Sequence, residues 1–425
     1  MDRGGTCMIQ MIKSFKFIRW SLLAILTIGI MSSWVLTQEA QKKTALIIVD
    51  MQNDFAKEGG ALYVPSTEQI KPKLKQLIAK AREKGIPIIY TQDWHRPDDV
   101  EFKIWPPHTI QGTPGAEVIA EIAPTDKDYT VKKRTYNAFF ETDLDMLLRQ
   151  LGIKRVVITG TVSNICVLNT AGDAALRGYE VVLPHDAIAP LTDFDQQATL
   201  REVSFLYKGK ITTADHAFDP DPQEIKVEFN AKPPELKIAS NVELPKDKTA
   251  VIVVDMQNDF AREGGALYVP ATKETIEPIK NLLKKARSSG TLVVFTQDWH
   301  RKDDPEFKIW PPHTIQGTEG AQVIADFEPS DKDYFVKKRT YDAFYGTDMD
   351  LLLRQNGIQN VVITGTVSNI CVLHTAGKAR LHGYNLVVAR DGISALTPFD
   401  MDLSLRQMSF LYNGTIVDSG NIQFK

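Results

Sequence analysis

VVITGTVSNICVL, residues 156–168, returns without a single change at 361–373. Read locally, VVITG is a short β-rich strand and TVS a polar turn. A helical run follows from Asn164 to Arg177, closed by Gly178. A strand that feeds a helix through a tight turn is the building block of a parallel sheet covered by helices. Each copy also places the only cysteine of its half, Cys166 or Cys371, at the start of that helix.

Working outward, the whole chain repeats. TALIIVDMQNDF (44–55) returns as TAVIVVDMQNDF (249–260), 205 positions on, as from Asp50 to Asp255. TQDWHR, EFKIWPPHTIQGT and VKKRTY recur at the same offset without gaps, while the amphipathic stretch after Pro65 has drifted. Within a copy, ALIIVD, IPIIYTQD, YTVKKRT, VVITG, YEVVLP and KITTA read as strands. Helical spacing runs through Ile70, Leu74, Leu77, Ile78 and Ala81 to Gly85, from Thr142 to Leu151, and over 193–207. The expected fold is α/β: two tandem α/β/α sandwich domains, each with a mostly parallel six-stranded sheet. The expected boundaries are a leader at 1–40, domains at 41–214 and 249–425, and a linker rich in proline and charge at 215–248.

At 425 residues, each half is long enough to bury its own core. Charge is nearly balanced, 50 basic against 53 acidic residues, so nothing points to nucleic acid. Three cysteines, Cys7, Cys166 and Cys371, cannot build a disulfide framework or a Cys-rich zinc site. The uncharged run at 20–38 follows Lys13, Lys16 and Arg19, the pattern of an export signal. It is also long enough to serve as a transmembrane anchor, with the rest of the chain periplasmic or extracellular.

In parallel α/β sheets ligands bind at the carboxyl ends of strands. Chemistry-bearing residues fall there. Asp50 ends the first strand, Asp93 and His95 end the second, Lys133 closes VKK, and Cys166 follows VVITG. A helix N-terminus stabilises a thiolate, and a neighbouring Lys133 ammonium is expected to lower the thiol pKa further. A carboxylate such as Asp50 could take the thiol proton and return it to a leaving amine. Asp93 and His95, two apart on a strand, share a face, and His108 can arrive from the WPPH loop. Two imidazoles and a carboxylate suit Zn²⁺, Fe²⁺ or Mn²⁺, with zinc favoured; the set recurs as Asp298, His300 and His313. Gln52 and Asp54 are expected to brace the loop after the first strand, and Trp105 and Trp310 to wall a pocket or fill core. EGGALYVP opens no helix, which disfavours a phosphate-binding glycine loop.

Together VDMQNDF, TQDWH, WPPHTIQGT, KRTYNAF and GTVSNICV resemble the isochorismatase-like cysteine hydrolases, and the D-x-H…H set looks like the nicotinamidase branch. The resemblance implies Asp-Lys-Cys triads at Asp50, Lys133, Cys166 and at Asp255, Lys338, Cys371. Lys132 and Lys337 are excluded, because the family lysine lies three before the tyrosine of Y-x-A-F. It implies metal sets at Asp93, His95, His108 and Asp298, His300, His313. It also implies non-proline cis peptides at Thr161–Val162 and Thr366–Val367, which aim the N–H of Val162 (Val367) and Cys166 (Cys371) at an oxyanion.

GTVSNICV is closer to the carbamoylsarcosine and ureido-amide hydrolases than to the nicotinamidases, and Thr109 stands where a cysteine is common. The function expected is hydrolysis of a small, nicotinamide-like carboxamide to acid and ammonia through a thioester in each repeat. A ureido or carbamoyl amide is the alternative substrate, and a non-catalytic exported binding protein the alternative class. The repeats are expected to pair within the chain or in a homo-oligomer. Asn169/His374, Phe140/Tyr345 and Asn137/Asp342 are expected to distinguish the two pockets.

Overall fold

The computed structural model describes residues 44–425, and the expected leader lies outside them. In the first repeat the strands are β1 (Thr44–Val49), β2 (Ile88–Asp93), β3 (Tyr129–Lys133), β4 (Arg155–Thr161), β5 (Glu180–Pro184), the two-residue β6 (Ile188–Ala189) and β7 (Lys210–Thr212). They form one parallel sheet in the order β3-β2-β1-β4-β5-β7, with β6 pairing β4. All six residues of TALIIV are buried, because helices cover both faces of the sheet. The helix Thr67–Glu83 turns Ile70, Leu74 and Leu77 onto one face, and Gly85 stops it at φ +64°.

In the second repeat, after β8 (Val242–Leu244), come β9 (Thr249–Val254), β10 (Leu292–Asp298), β11 (Tyr334–Lys338), β12 (Asn360–Gly365), β13 (Asn385–Ile393) and β14 (Thr415–Val417). Their order is β11-β10-β9-β12-β13-β14, again parallel. The fold class is therefore as expected, two tandem sandwiches. The stretch expected as linker is not structureless at its end: β8 pairs with a last strand, β15 (Ile422–Phe424). Ala239 N–H also donates to the Ile416 carbonyl, and Ile225 N–H to that of Ile211, so the stretch runs from one sheet's edge to the other's.

One expectation is corrected. Among the described residues no helix is long and apolar enough to cross a membrane. The longest helices, Thr67–Glu83 and Thr272–Ser289, are amphipathic and carry a charged face. The run at 20–38, to which the transmembrane anchor was assigned, lies outside the described residues.

The repeats pack on each other through the faces carrying Leu144, Ala171 and Leu206, whose apolar core is continuous with its counterpart in the second repeat. Reciprocal ion pairs flank it, Arg201 to Asp400 at 2.9 Å and Arg406 to Asp195 at 3.1 Å. Between them Asn164 donates to Gln407 (2.9 Å) and Asn369 to Glu202 (2.7 Å). Lys378 reaches Asp173 at 3.1 Å.

Candidate active site

The strand order reverses direction between β1 and β4, the switch point where a doubly wound sheet opens a crevice. Asp50 follows β1 and Cys166 follows β4, so they flank it, with Asp93 and Lys133 at the ends of β2 and β3. Asp50 sits at φ 51°, a left-handed conformation that Asp tolerates better than most residues. Gly160 lets β4 approach β1 there: a Cβ would lie 2.1 Å from the Val49 carbonyl oxygen. After the cis Thr161–Val162 bond the chain makes a single π-helical turn, Ser163–Val167, before the α-helix Leu168–Leu176. Cys166 is therefore presented from a π turn rather than from a regular helix start.

The structure brings the sequence-derived residues together. The Lys133 ammonium, 2 % exposed, lies 2.7 Å from Asp50 Oδ2, donates to Asp93 Oδ1 and to the Thr135 carbonyl (2.9 Å), and is 3.6 Å from Cys166 Sγ. Its three hydrogens are thereby committed. The second repeat repeats this set. Lys338 is 2.6 Å from Asp255 Oδ2, bonded to Asp298 and to the Thr340 carbonyl (2.9 Å), and 3.5 Å from Cys371 Sγ. Lys132 and Lys337 instead lie over the rings of Trp94 and Trp299.

Electrostatics corrects one expectation. Burial, with the Asp50 and Asp93 charges, pushes the Cys166 thiol well above the ordinary cysteine range despite Lys133, and Cys371 behaves alike. The resting thiol is protonated, so activation falls to a base. Burial also raises the Asp50 and Asp255 carboxyls, against their lysines. That brings each closer to the proton it would take. Burial opposes the Lys133 charge, but Asp50 and Asp93 overcome it and hold the ammonium well above its usual range.

Asp93 divides its oxygens. Oδ1 takes Lys133, while Oδ2 faces His95 Nε2 at 4.0 Å. The His95 and His108 rings are 4.8 Å apart. In the second repeat Asp298 Oδ2 is 3.9 Å from His300 Nε2 and 4.0 Å from His313 Nε2. His108 Nδ1 hydrogen-bonds the Pro106 carbonyl (2.8 Å) and His313 Nδ1 that of Pro311 (2.8 Å), which leaves each Nε2 for other work. Burial lowers the pKa of His108 and His313 and keeps them neutral, the form that ligates metal. His95 Nε2 and His300 Nε2 are fully buried without a hydrogen-bond partner. In each repeat one atom from each of the three residues lies within 4.8 Å of the others, a spacing that one divalent ion would draw together.

Several supporting residues were not singled out from the sequence. Thr91 donates to Asp50 Oδ1 at 2.6 Å, and Thr296 to Asp255 at 2.6 Å. Asp99 Oδ2 lies 3.2 Å from His95 Nδ1 and is gripped by Arg134. Thr91 belongs to the TQD block that recurs in both halves, so recurrence was its signal; Asp99 lies in an irregular loop with no periodicity to reveal it. Gln52 ties β1 to β2 by bonding both the N–H (2.8 Å) and the carbonyl (2.8 Å) of Asp93. Asp54 reaches farther than the adjacent loop, accepting from Thr109 N–H (2.7 Å) and so fixing the strand of chain that carries His108.

Each thiol opens on a cavity, about 360 Å³ at Cys166 and about 430 Å³ at Cys371. Trp105 and Trp310 wall them, as do Val162 and Val367. Glu101 and Glu306 also line them, their carboxyls pushed up to about 8 by burial and by the nearby Asp93 and Asp298. One wall of the first cavity, Phe410, comes from the second repeat and meets Trp105 edge-on at 5.4 Å. Asn169, His374, Asn137 and Asp342 do not distinguish the pockets as expected. His374 bonds Tyr207 at 2.7 Å and Asn169 accepts from Tyr412 at 3.3 Å, both across the inter-repeat contact. Asp342 is buried near Lys378 and Asp173, and the rings at 140 and 345 meet His382 or Lys378 and Arg177 of the other repeat.

The family model of the isochorismatase domain matches residues 44–216 and again 249–420. The chain belongs to the isochorismatase family, with two copies of its domain. An uncharacterized isochorismatase family protein of Bacillus subtilis (strain 168), YaaI, is 36% identical over 179 residues, 41% of this chain and 96% of that protein. The ureidoacrylate amidohydrolase RutB of Serratia proteamaculans (strain 568) is 30% identical over 195 residues, 40% of this chain and 79% of its own length. Among solved structures, a pyrazinamidase of Pyrococcus horikoshii in complex with zinc is 33% identical, covering 40% of this chain and 99% of that one, with a TM-score of 0.38.

Proposed function

We propose that each isochorismatase repeat hydrolyses a small carboxamide to its acid and ammonia, with Cys166 and Cys371 as nucleophiles. The observation that carries this reading is the buried convergence of Asp50, Lys133 and Cys166 at the floor of a cavity, repeated by Asp255, Lys338 and Cys371. The relatives named above include an enzyme that acts on an amide, which agrees with this reaction type.

The chemistry follows from the resting charges. Asp50 takes the Cys166 proton as the sulfur attacks the carbonyl carbon, and Lys133 stabilises the negative charge left on the sulfur. The backbone N–H groups of Val162 and Cys166 stabilise the oxyanion. The C–N bond breaks, nitrogen takes the proton from Asp50, and ammonia departs, leaving a thioester. Water, its proton taken by Asp50, attacks that thioester; the C–S bond breaks, the thiol regains its proton, and the acid leaves. Summed, amide and water give acid and ammonia.

Asp93, His95 and His108, and Asp298, His300 and His313, are the residues that would hold a divalent ion, with Zn²⁺ favoured over Fe²⁺ or Mn²⁺. Such an ion supplies Lewis acidity and a docking point for a polar end of the substrate. A second reading keeps the same residues with a ureido or carbamoyl amide as substrate, and the likeness to a ureidoacrylate amidohydrolase supports it. The decisive experiment is ammonia release from a panel of amides by the Cys166→Ala/Cys371→Ala chain. Complete loss is expected, and surviving turnover would overturn the nucleophile assignment.

A further inference from the structure

Every residue that the first repeat contributes to its own cavity recurs, 205 positions on, as the same residue type lining the second. Tyr63 matches Tyr268, Glu101 matches Glu306, and Leu191 matches Leu396. The repeats have diverged instead where they touch each other. Asp173 stands opposite Lys378, and Glu202 occupies the place of Gln407. Two halves that drift at the interface while keeping every cavity position present the same chemical surface twice.

That surface is apolar above the reacting atoms. Leu62, Tyr63, Trp105, Ile165 and Leu191 build it, and Phe410 adds another ring from the sister repeat. No cationic side chain lines either cavity among the described residues; the acidic side chains are Asp93 and Glu101 in the first. Lys133, behind the thiol, already donates to Asp93, the Thr135 carbonyl and Cys166 Sγ and is paired in charge with Asp50. A substrate carboxylate would therefore lose its water without gaining a cation, a costly exchange. The cavities fall within the range of drug-sized ligand pockets, roughly 300–1,000 Å³, so there is room for a body beyond the amide itself.

We infer that both sites serve one substrate class, an uncharged carboxamide with an apolar body, and that both exclude amides bearing a carboxylate. This rests on the hydrolase reading above and narrows it. Neutral ureides remain admissible; ureido acids do not.

The test uses the full chain as Cys166→Ala and Cys371→Ala single variants, each with one working site. At pH 8, kcat/KM is measured for nicotinamide, naphthalene-2-carboxamide and its carboxylate-bearing analogue 6-carbamoyl-2-naphthoic acid. The expected result is the same substrate order at both sites, ratios agreeing within about threefold, and the acid at least 100-fold poorer than its neutral counterpart. Glu101→Gln in the Cys371→Ala chain should raise the acid-to-neutral ratio at least tenfold. Opposite substrate orders at the two sites, or an acid processed as well as the neutral amide, would overturn the inference. Equilibrium binding to the double cysteine variant separates the two levels of failure. Two equal sites for the neutral naphthamide and none for the acid would sustain the inference even if no amide is hydrolysed. Equal binding of the acid would sink it whatever the turnover.

Discussion

Replacing Lys133 with methionine keeps an unbranched chain in the same space and deletes the one cation between Asp50 and Asp93. Both carboxylates are buried. Breaking a buried ion pair from one side costs about 3–5 kcal/mol, because the remaining charge has no compensation. For a domain of this size that corresponds to a fall of roughly 6–20 °C in melting temperature. The loss depends on pH with a definite sign. Burial already raises the Asp50 carboxyl, and without Lys133 it rises further. A carboxyl with a raised folded pKa contributes its stability fully below the unfolded value, about 3.9, and loses it as pH rises through the folded value. Lys133→Met should therefore melt far below the parent at pH 8 and recover at least half of the difference at pH 5.5. The assay is calorimetry of the full chain with chelator present, following the transition that the substitution moves. An equal deficit at both pH values, or one under about 1 kcal/mol at pH 8, would refute the picture of an ammonium holding two buried carboxylates.

Three further outcomes follow from the same geometry. Phe410→Ala, in a chain whose only working thiol is Cys166, should raise KM for an apolar amide roughly two- to twelve-fold, the worth of a lost aromatic contact; an unchanged KM would show that the second repeat lends nothing to the first site. Because burial raises both thiols, iodoacetamide should label Cys166 and Cys371 more slowly than a free cysteine peptide at pH 7.5, with the rate still climbing above pH 9; rapid labelling at neutral pH, read by peptide mapping, would contradict this. Elemental analysis of protein purified without added metal should find about two divalent ions per chain, falling to about one in His95→Ala, as three buried ligands per repeat require; a content near zero would make the histidines structural.

Much of this was legible in the sequence because parallel strands advertise themselves. TALIIV and VVITG are short apolar runs that end on polar residues, and a strand's carboxyl end is where a doubly wound sheet exposes its chemistry. Asp50, Asp93, Lys133 and Cys166 could therefore be picked out before any geometry was known. What sequence spacing does not carry is direction and depth. Asn169 lies three residues beyond Cys166, yet the π turn and the helix after it aim its side chain at Tyr412 of the other repeat, away from the cavity. The helix-start argument for a low thiol pKa fails for a related reason: it weighs the local dipole and Lys133 but not the burial of Cys166 beside two carboxylates. Glu101 sits in a short 3₁₀ turn with no periodic pattern, so only the folded loop reveals that it lines the cavity. The β8 strand reads as linker because its partner, β15, lies at the far end of the chain.

The central claim, covalent catalysis by a cysteine in each repeat, is tested most directly by trapping the thioester. The full chain is mixed with a slowly hydrolysed aromatic amide, quenched in acid and weighed by intact mass spectrometry. Up to two acyl additions per chain are expected, mapping to the peptides of Cys166 and Cys371, with at most one in either single Cys→Ala variant and none in the double variant. Ammonia released at the parental rate by the double variant, or acyl groups mapping to any other residue, would contradict the account.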